Sequence, residues 1–139
     1  GKSPYELVDM PYGPQVLWPD HCVQGSSGAE FHPNLQEDRG DLIIRKGFDS
    51  QIDSYSAFFE NDHKTPTGLE GYLRTRGIDQ VTMVGLALDF CVNFSAVDAA
   101  KLGFGVTVRE DLCRAIDLDG SLAAARAGML AAGVMLSNG

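Results

Sequence analysis

The hydrophobic pattern of the chain changes period sharply near residue 88. Val81 to Ala87, "VTMVGLA", is a short apolar run rich in β-branched residues and predicts a buried strand. From Val92 onward the apolar positions recur at helical spacing and predict a helix from about Cys91 to Leu102. "GVTVRED" predicts a further strand centred on Val106 to Val108. Leu122, Ala125, Met129 and Ala132 share one face of a final helix, and "VMLSN", Val134 to Asn138, reads as a last strand. Upstream, "TGLEGYLRTRG" predicts a helix. Thr67 and Glu70 stand at the spacing of a capping box, and Gly77 sits where a helix-ending glycine belongs. "DLIIRK", Asp41 to Lys46, reads as a strand, and Phe48 to Asp62 as a loop with aromatic anchors. The first 40 residues read as irregular, because Pro4, Pro11, Pro14, Pro19, Pro33 and the cluster "GSSGA" punctuate them.

Strands alternating with helices of this length predict an α/β fold: three layers, α/β/α, around a mainly parallel sheet. Ligands in such folds bind beyond the carboxyl ends of the strands. Lys46 and Cys91 each close or follow a predicted strand, which places both on one rim.

Composition narrows the partners. At 139 residues the chain is one domain at most. A net charge of −8 argues against phosphate-driven nucleic-acid binding and against attraction to anionic membranes. No apolar run approaches the roughly 20 residues of a transmembrane helix. Cys22, Cys91 and Cys113 are odd in number and widely spaced, a pattern of free thiols in a reducing cytoplasm. The chain opens at "GKSPYELVDM" without an initiator methionine, so a missing N-terminal part is the expectation.

The thiol at the strand-to-helix junction has two readings. Free amides and the positive dipole end in a first helical turn stabilise a thiolate, which suits Cys91 as a nucleophile. A free cysteine is equally at home as a small buried hydrophobe. Asp89 reads as a helix cap or a turn residue, the cap being favoured. Lys46 is either an exposed strand end or a cation beside the thiolate. His21 is a loop residue or one metal ligand, and one ligand makes no site. His32, before Pro33, reads as a turn residue, His63 as solvated, and Cys22 and Cys113 as core thiols.

"LWPDHCVQGSSGAEFHPNL", "IIRKG", "DSYSAFF" and "VGLALDFCVNFSAVDA" together resemble the nicotinamidases (pyrazinamidases) of the isochorismatase-like hydrolases, in order and over nearly the whole chain. The resemblance implies hydrolysis of nicotinamide to nicotinate and ammonia in NAD salvage, through a cysteine thioester. It makes Cys91 the nucleophile and Lys46 the catalytic lysine. It places a cis peptide between Leu86 and Ala87, with the Ala87 amide in an oxyanion hole. It makes Trp18, Tyr55 and Leu86 substrate-binding positions. It also implies one divalent metal, zinc foremost, with iron or manganese as alternatives, and matches His21 to one of its ligands.

Two departures accompany the resemblance. Leu88 stands where the family usually has threonine, which alters local packing or contacts to the substrate edge. The family's N-terminal blocks, carrying its catalytic aspartate and remaining metal ligands, are not in this sequence. The chain therefore resembles the C-terminal two-thirds of a single isochorismatase-like domain, with N-terminal strands absent. Its expected partners are the small amide substrate and the N-terminal portion of the same protein, in cis or as a separate chain, without which it is expected to be inactive. The sequence leaves a homo-oligomer open. The alternatives are a sister hydrolase of another small amide or carbamoyl compound, and a non-catalytic fragment that needs a partner chain.

Overall fold

The computed structural model describes residues 1–139, which form two compact units, Gly1–Ile43 and Ile44–Gly139. The first contains an antiparallel hairpin, β1 (Leu7–Met10) and β2 (Gly13–Val16), in register from Leu7 opposite Val16 to Met10 opposite Gly13. The sequence reading of an irregular N-terminal stretch is corrected here. Pro11 and Tyr12 form a two-residue turn, and Pro14 is tolerated because both strands of a lone ribbon have an open edge. Residues 17 to 43 are turns with two single 3₁₀ turns, as the proline and glycine density predicts.

The second unit is built on a parallel sheet in the order β3 (Gln80–Leu86), β4 (Gly105–Arg114), β5 (Met135–Ser137). Helices α1 (Leu69–Thr75), α2 (Asn93–Lys101) and α3 (Ser121–Ala131) precede β3, β4 and β5 in turn. The α/β class with a parallel sheet therefore stands as the sequence predicts.

Each helix ends the same way. Past α1, the Gly77 amide donates to Arg74 and the Ile78 amide to Leu73. The pairs Gly103–Ala100 and Phe104–Ala99 repeat this past α2, and Gly133–Leu130 and Val134–Met129 past α3. This closing pattern needs a left-handed residue at its first position, which glycine supplies at Gly77 with φ of 69°. The next residue turns back toward the core, where Phe104 and Val134 are buried. The start of α1 departs from the capping box. Thr67 Oγ1 accepts the Leu69 amide, but Glu70 pairs with Arg74 one turn on instead of reaching back.

The core lies between the sheet and the helices. Val106 and Val108 of β4 meet Ala96 and Ala99 of α2, Ala125 and Met129 of α3, and Phe58 and Phe104, all buried. Val81 and Met83 of β3 pack against it, while Val84 and Leu86 alternate to the exposed side. Met83 pairs with Val108 and Gly85 with Cys113, so β4 bulges over Arg109 to Leu112. The bulge is tied by the two-pronged Arg109–Asp111 pair at 2.8 and 2.9 Å and by Arg126 of α3 on Glu110 at 2.7 Å.

"DLIIRK" forms no strand. A strand needs a ladder partner, and none pairs with Asp41–Lys46, where Leu42 and Ile43 are exposed.

Candidate active site

Between β3 and α2 the chain makes one π-helical turn, Leu88–Val92, instead of starting an α-helix. The Val92 amide reaches Ala87 O at 3.0 Å, one residue further back than in an α-helix. This corrects the expected helix start near Cys91: the thiol lies inside the π turn, and α2 begins at Asn93. The wider turn sorts its side chains by environment. Leu88 and Val92 enter the core, and Cys91 is half-buried and faces a cleft. Leu88, at the position of the family's threonine, is 4% exposed and packs with the core, so the departure is one of packing.

Asp89 does not cap its own helix. Its buried carboxylate accepts the Ile116 amide at 3.0 Å, the Asp117 amide at 2.7 Å and the Ser121 hydroxyl at 2.5 Å. It thus pins the loop between β4 and α3 to the turn that carries Cys91. Burial acts to raise its pKa, but the hydrogen bonds outweigh burial and hold it below the usual 3.8.

Lys46 arrives from a loop rather than a strand end. Its Nζ donates to Ser54 O at 2.6 Å and lies 3.5 Å from Cys91 Sγ. The cleft is about 440 Å³. Lys46, Cys91, Tyr55 and Leu86 line it together with Met83 and Leu73, among other mostly apolar side chains. Tyr55 is braced by two rings of the segment that carries Cys91, Phe90 at 5.7 Å and Phe94 at 5.1 Å between centroids. Such a flat aromatic wall suits a planar, mostly apolar ligand. The Leu86–Ala87 peptide is cis, and Ala87 is half-buried at the head of the π turn.

Three polar residues that the sequence reading passed over hold this arrangement together. Ser95, one turn after Cys91, donates to Cys91 O at 2.6 Å and accepts the Ala57 amide at 2.8 Å, joining the two segments. Asn61 accepts the Tyr55 amide at 2.9 Å, and its own amide donates to Asp53 O at 2.8 Å. Glu60, 1% exposed, accepts the Gly47 amide on both carboxyl oxygens, at 3.1 and 3.3 Å. An acid directly after the aromatic pair Phe58–Phe59 was the available signal.

Trp18 and His21 belong to the first unit. Trp18 is half-buried and meets the Tyr5 ring edge-on at 5.9 Å. His21 is exposed, with Nδ1 2.7 Å from Pro19 O. As a donor there, Nδ1 leaves the Nε2 lone pair outward, the form a metal-ligating histidine takes. No three His, Cys, Asp or Glu side chains converge anywhere in these residues, so they form no metal centre by themselves. His32 sits in a turn, its carbonyl accepting the Leu35 amide, and His63 is exposed, as expected. Cys113 is a buried thiol, but Cys22 is exposed, because its loop has no core to enter.

No helix is long and apolar enough to cross a membrane. The chain is 58% identical to the nicotinamidase of Acinetobacter baylyi over 134 residues, which is 96% of this chain and 63% of that protein. Its structure matches that of the Acinetobacter baumanii nicotinamidase pyrazinamidase with a TM-score of 0.96 and 57% identity, over 98% of this chain and 66% of the other. PnC1 from L. infantum in complex with nicotinate matches with a TM-score of 0.81 and 49% identity, over 86% and 60% of the two chains. The pyrazinamidase of Pyrococcus horikoshii in complex with zinc matches with a TM-score of 0.71 and 32% identity, over 86% and 62%. The chain thus spans just under two-thirds of the length of the Acinetobacter proteins it matches. The Isochorismatase domain family matches residues 7–138, and the chain belongs to that family.

Proposed function

We propose that this chain carries the nucleophile and substrate cleft of a nicotinamide amidohydrolase acting in NAD salvage. The observation that carries the reading is the approach of Lys46 Nζ to Cys91 Sγ at 3.5 Å, in an apolar cleft walled by Tyr55. Relatives that are nicotinamidases support the choice of a pyridine carboxamide as substrate.

In this reading Cys91 Sγ attacks the amide carbon, a C–S bond forms and the C–N bond breaks. Nitrogen leaves as ammonia and takes up the thiol proton. Water then attacks the thioester, releasing nicotinate and restoring the thiol. Lys46 supplies positive charge beside the sulfur, which favours the thiolate. The Ala87 amide serves the oxyanion, and Tyr55 and Leu86 hold the ring. His21 serves as one ligand of a divalent metal, zinc foremost. The A. baylyi relative is longer than the stretch matched, and His21 is the one metal ligand assigned, so further residues are inferred to complete the site, in cis or from a second chain.

The test is ammonia release from nicotinamide by the purified protein, with and without a supplied N-terminal portion. Cys91→Ala is expected to abolish turnover and keep nicotinamide binding. Turnover within about tenfold of the parent sinks the nucleophile assignment. His21→Ala is expected to lower the metal retained after dialysis, and unchanged metal content removes that role.

A further inference from the structure

We propose that Glu60 is a positioning residue for Lys46. It is buried to 1% exposure, directly after Phe58 and Phe59, a costly place for a carboxyl group without structural work to do. Its side chain makes no ion pair and takes a single donor, the backbone amide of Gly47, on both oxygens. Gly47 directly follows Lys46 and has φ of 70°, a left-handed conformation whose backbone N–H is held by the hydrogen bonds to Glu60.

The loop between them is closed from its far end as well. Glu60 and Asn61 are neighbours. The Asn61 amide donates to Asp53 O, and its side chain holds Tyr55. Ser54, between Asp53 and Tyr55, offers the carbonyl that receives Lys46 Nζ at 2.6 Å. Glu60 therefore fixes the backbone at the lysine's root, and the segment it anchors presents the acceptor that catches the lysine's tip. Both constraints aim Nζ at Cys91. A lysine has four flexible carbons and loses considerable rotamer entropy when held, so such anchoring matters more for it than for a short side chain. The functional meaning of this placement rests on the hydrolase reading of Lys46, while the placement itself does not.

Glu60→Met keeps length and bulk but removes the acceptor, Glu60→Gln keeps one acceptor oxygen, and Lys46→Ala removes the group being positioned. Two measurements are made on the purified protein: kcat and KM for nicotinamide with the N-terminal portion supplied, and the pH profile of Cys91 alkylation by iodoacetamide, read on the Cys91 peptide so that Cys22 does not interfere. Glu60→Met is expected to lower kcat about tenfold or more with KM little changed. It should move the alkylation profile toward that of Lys46→Ala, and add little when combined with Lys46→Ala. Glu60→Gln should stay close to the parent in both. A parent-like profile in Glu60→Met, losses that multiply with those of Lys46→Ala, or a Glu60→Gln variant as impaired as Glu60→Met would each overturn the proposal. Should the parent fail to hydrolyse nicotinamide even with the N-terminal portion supplied, the substrate reading fails and the alkylation profiles still decide. Should Glu60→Met fail to fold, hydrogen exchange in the parent decides: the Gly47 amide is expected to be protected, and free exchange overturns the proposal.

Discussion

Two segments meet at the cleft, and they are ordered by different bonds. Residues 80 to 101 run from strand through π turn to helix, and backbone ladders fix most of their course. Residues 44 to 66 contain no helix and no strand longer than the single bridge of Phe59 with Pro66. Side chains gripping backbone amides fix them instead: Glu60 on Gly47, Asn61 on Tyr55, Asp62 on Lys64 and Thr65. The first segment delivers Cys91 and the second delivers Lys46 and Tyr55. A thiol on a rigid junction is thus paired with a cation on a loop whose shape depends on a few single bonds. The loop should therefore fail by point substitution at its polar anchors, and the junction where its tether to the loop before α3 is cut.

That tether is Asp89, and the largest stability effect is expected there. Asp89→Ala leaves the Ile116 and Asp117 amides and the Ser121 hydroxyl without their acceptor. Buried donors left unpaired cost about 1–3 kcal/mol each and do not add fully, so a loss on the order of 3 kcal/mol is expected in urea denaturation. A loss below about 1 kcal/mol would mean that the loop before α3 is held by other means. The pH dependence has a definite sign. The folded-state pKa of Asp89 lies below the ordinary 3.8, so its contribution is complete above that value and is lost as pH falls through the folded pKa. The gap between parent and Asp89→Ala stability should accordingly narrow on acidification. A gap that widens would contradict the assignment.

Ser95 joins the two segments and should give a smaller effect that reports on both. Ser95→Ala removes the donor to Cys91 O and the acceptor for the Ala57 amide. A loss of about 1–2 kcal/mol is expected, as for one buried hydrogen-bonded hydroxyl. Hydrogen exchange should quicken at Ala57 more than at amides within β4. Uniform quickening across the sheet would show that Ser95 supports the whole core and not the junction between segments.

The same contrast explains what could be read from sequence. The strand at Val81, the helix face of Leu122, Ala125, Met129 and Ala132, and the helix-ending glycine at Gly77 follow from period and turn chemistry, which are local properties. The apolar run "LII" promised a strand because hydrophobicity is local too, whereas a ladder partner is not. The π turn escaped notice because it differs from an α-helix by one residue in its bonding, with no change in which residues are apolar. Cys91 and Lys46 were legible through the resemblance, and the structure brings them together. Glu60, Ser95 and Asp89 were not, since a polar residue's value here lies in an amide 13, 38 or 27 positions away.

The smallest effect is expected at the outer end of the loop, and it tests whether exposed anchors behave as buried ones do. Asp62 Oδ1 accepts the Lys64 amide at 3.0 Å and the Thr65 amide at 2.9 Å, and Oδ2 accepts Thr65 Oγ1 at 2.7 Å. These bonds close the reversal in which His63 takes a left-handed φ of 55° and the Glu60 amide donates to Thr65 O. They also bring the pKa of Asp62 down from 3.8 to about 2, the Thr65 amide contributing most. Asp62 is only half-buried at the loop's outer end, where water competes for these groups, so its weight in stability is small despite the large shift. The sign is that of Asp89: the contribution is present above 3.8 and is lost as pH falls toward 2. A side-chain NMR titration of the parent should place Asp62 near 2, well below the ordinary 3.8. Asp62→Ala should leave the denaturation midpoint almost unchanged at neutral pH while quickening exchange of the Lys64 and Thr65 amides. A titration at the ordinary aspartate value would show that the turn is not closed by this carboxylate. A loss of stability as large as that at Asp89 would show that the loop's outer end bears on the core as heavily as its root, and the division between anchored junction and clipped loop would not hold.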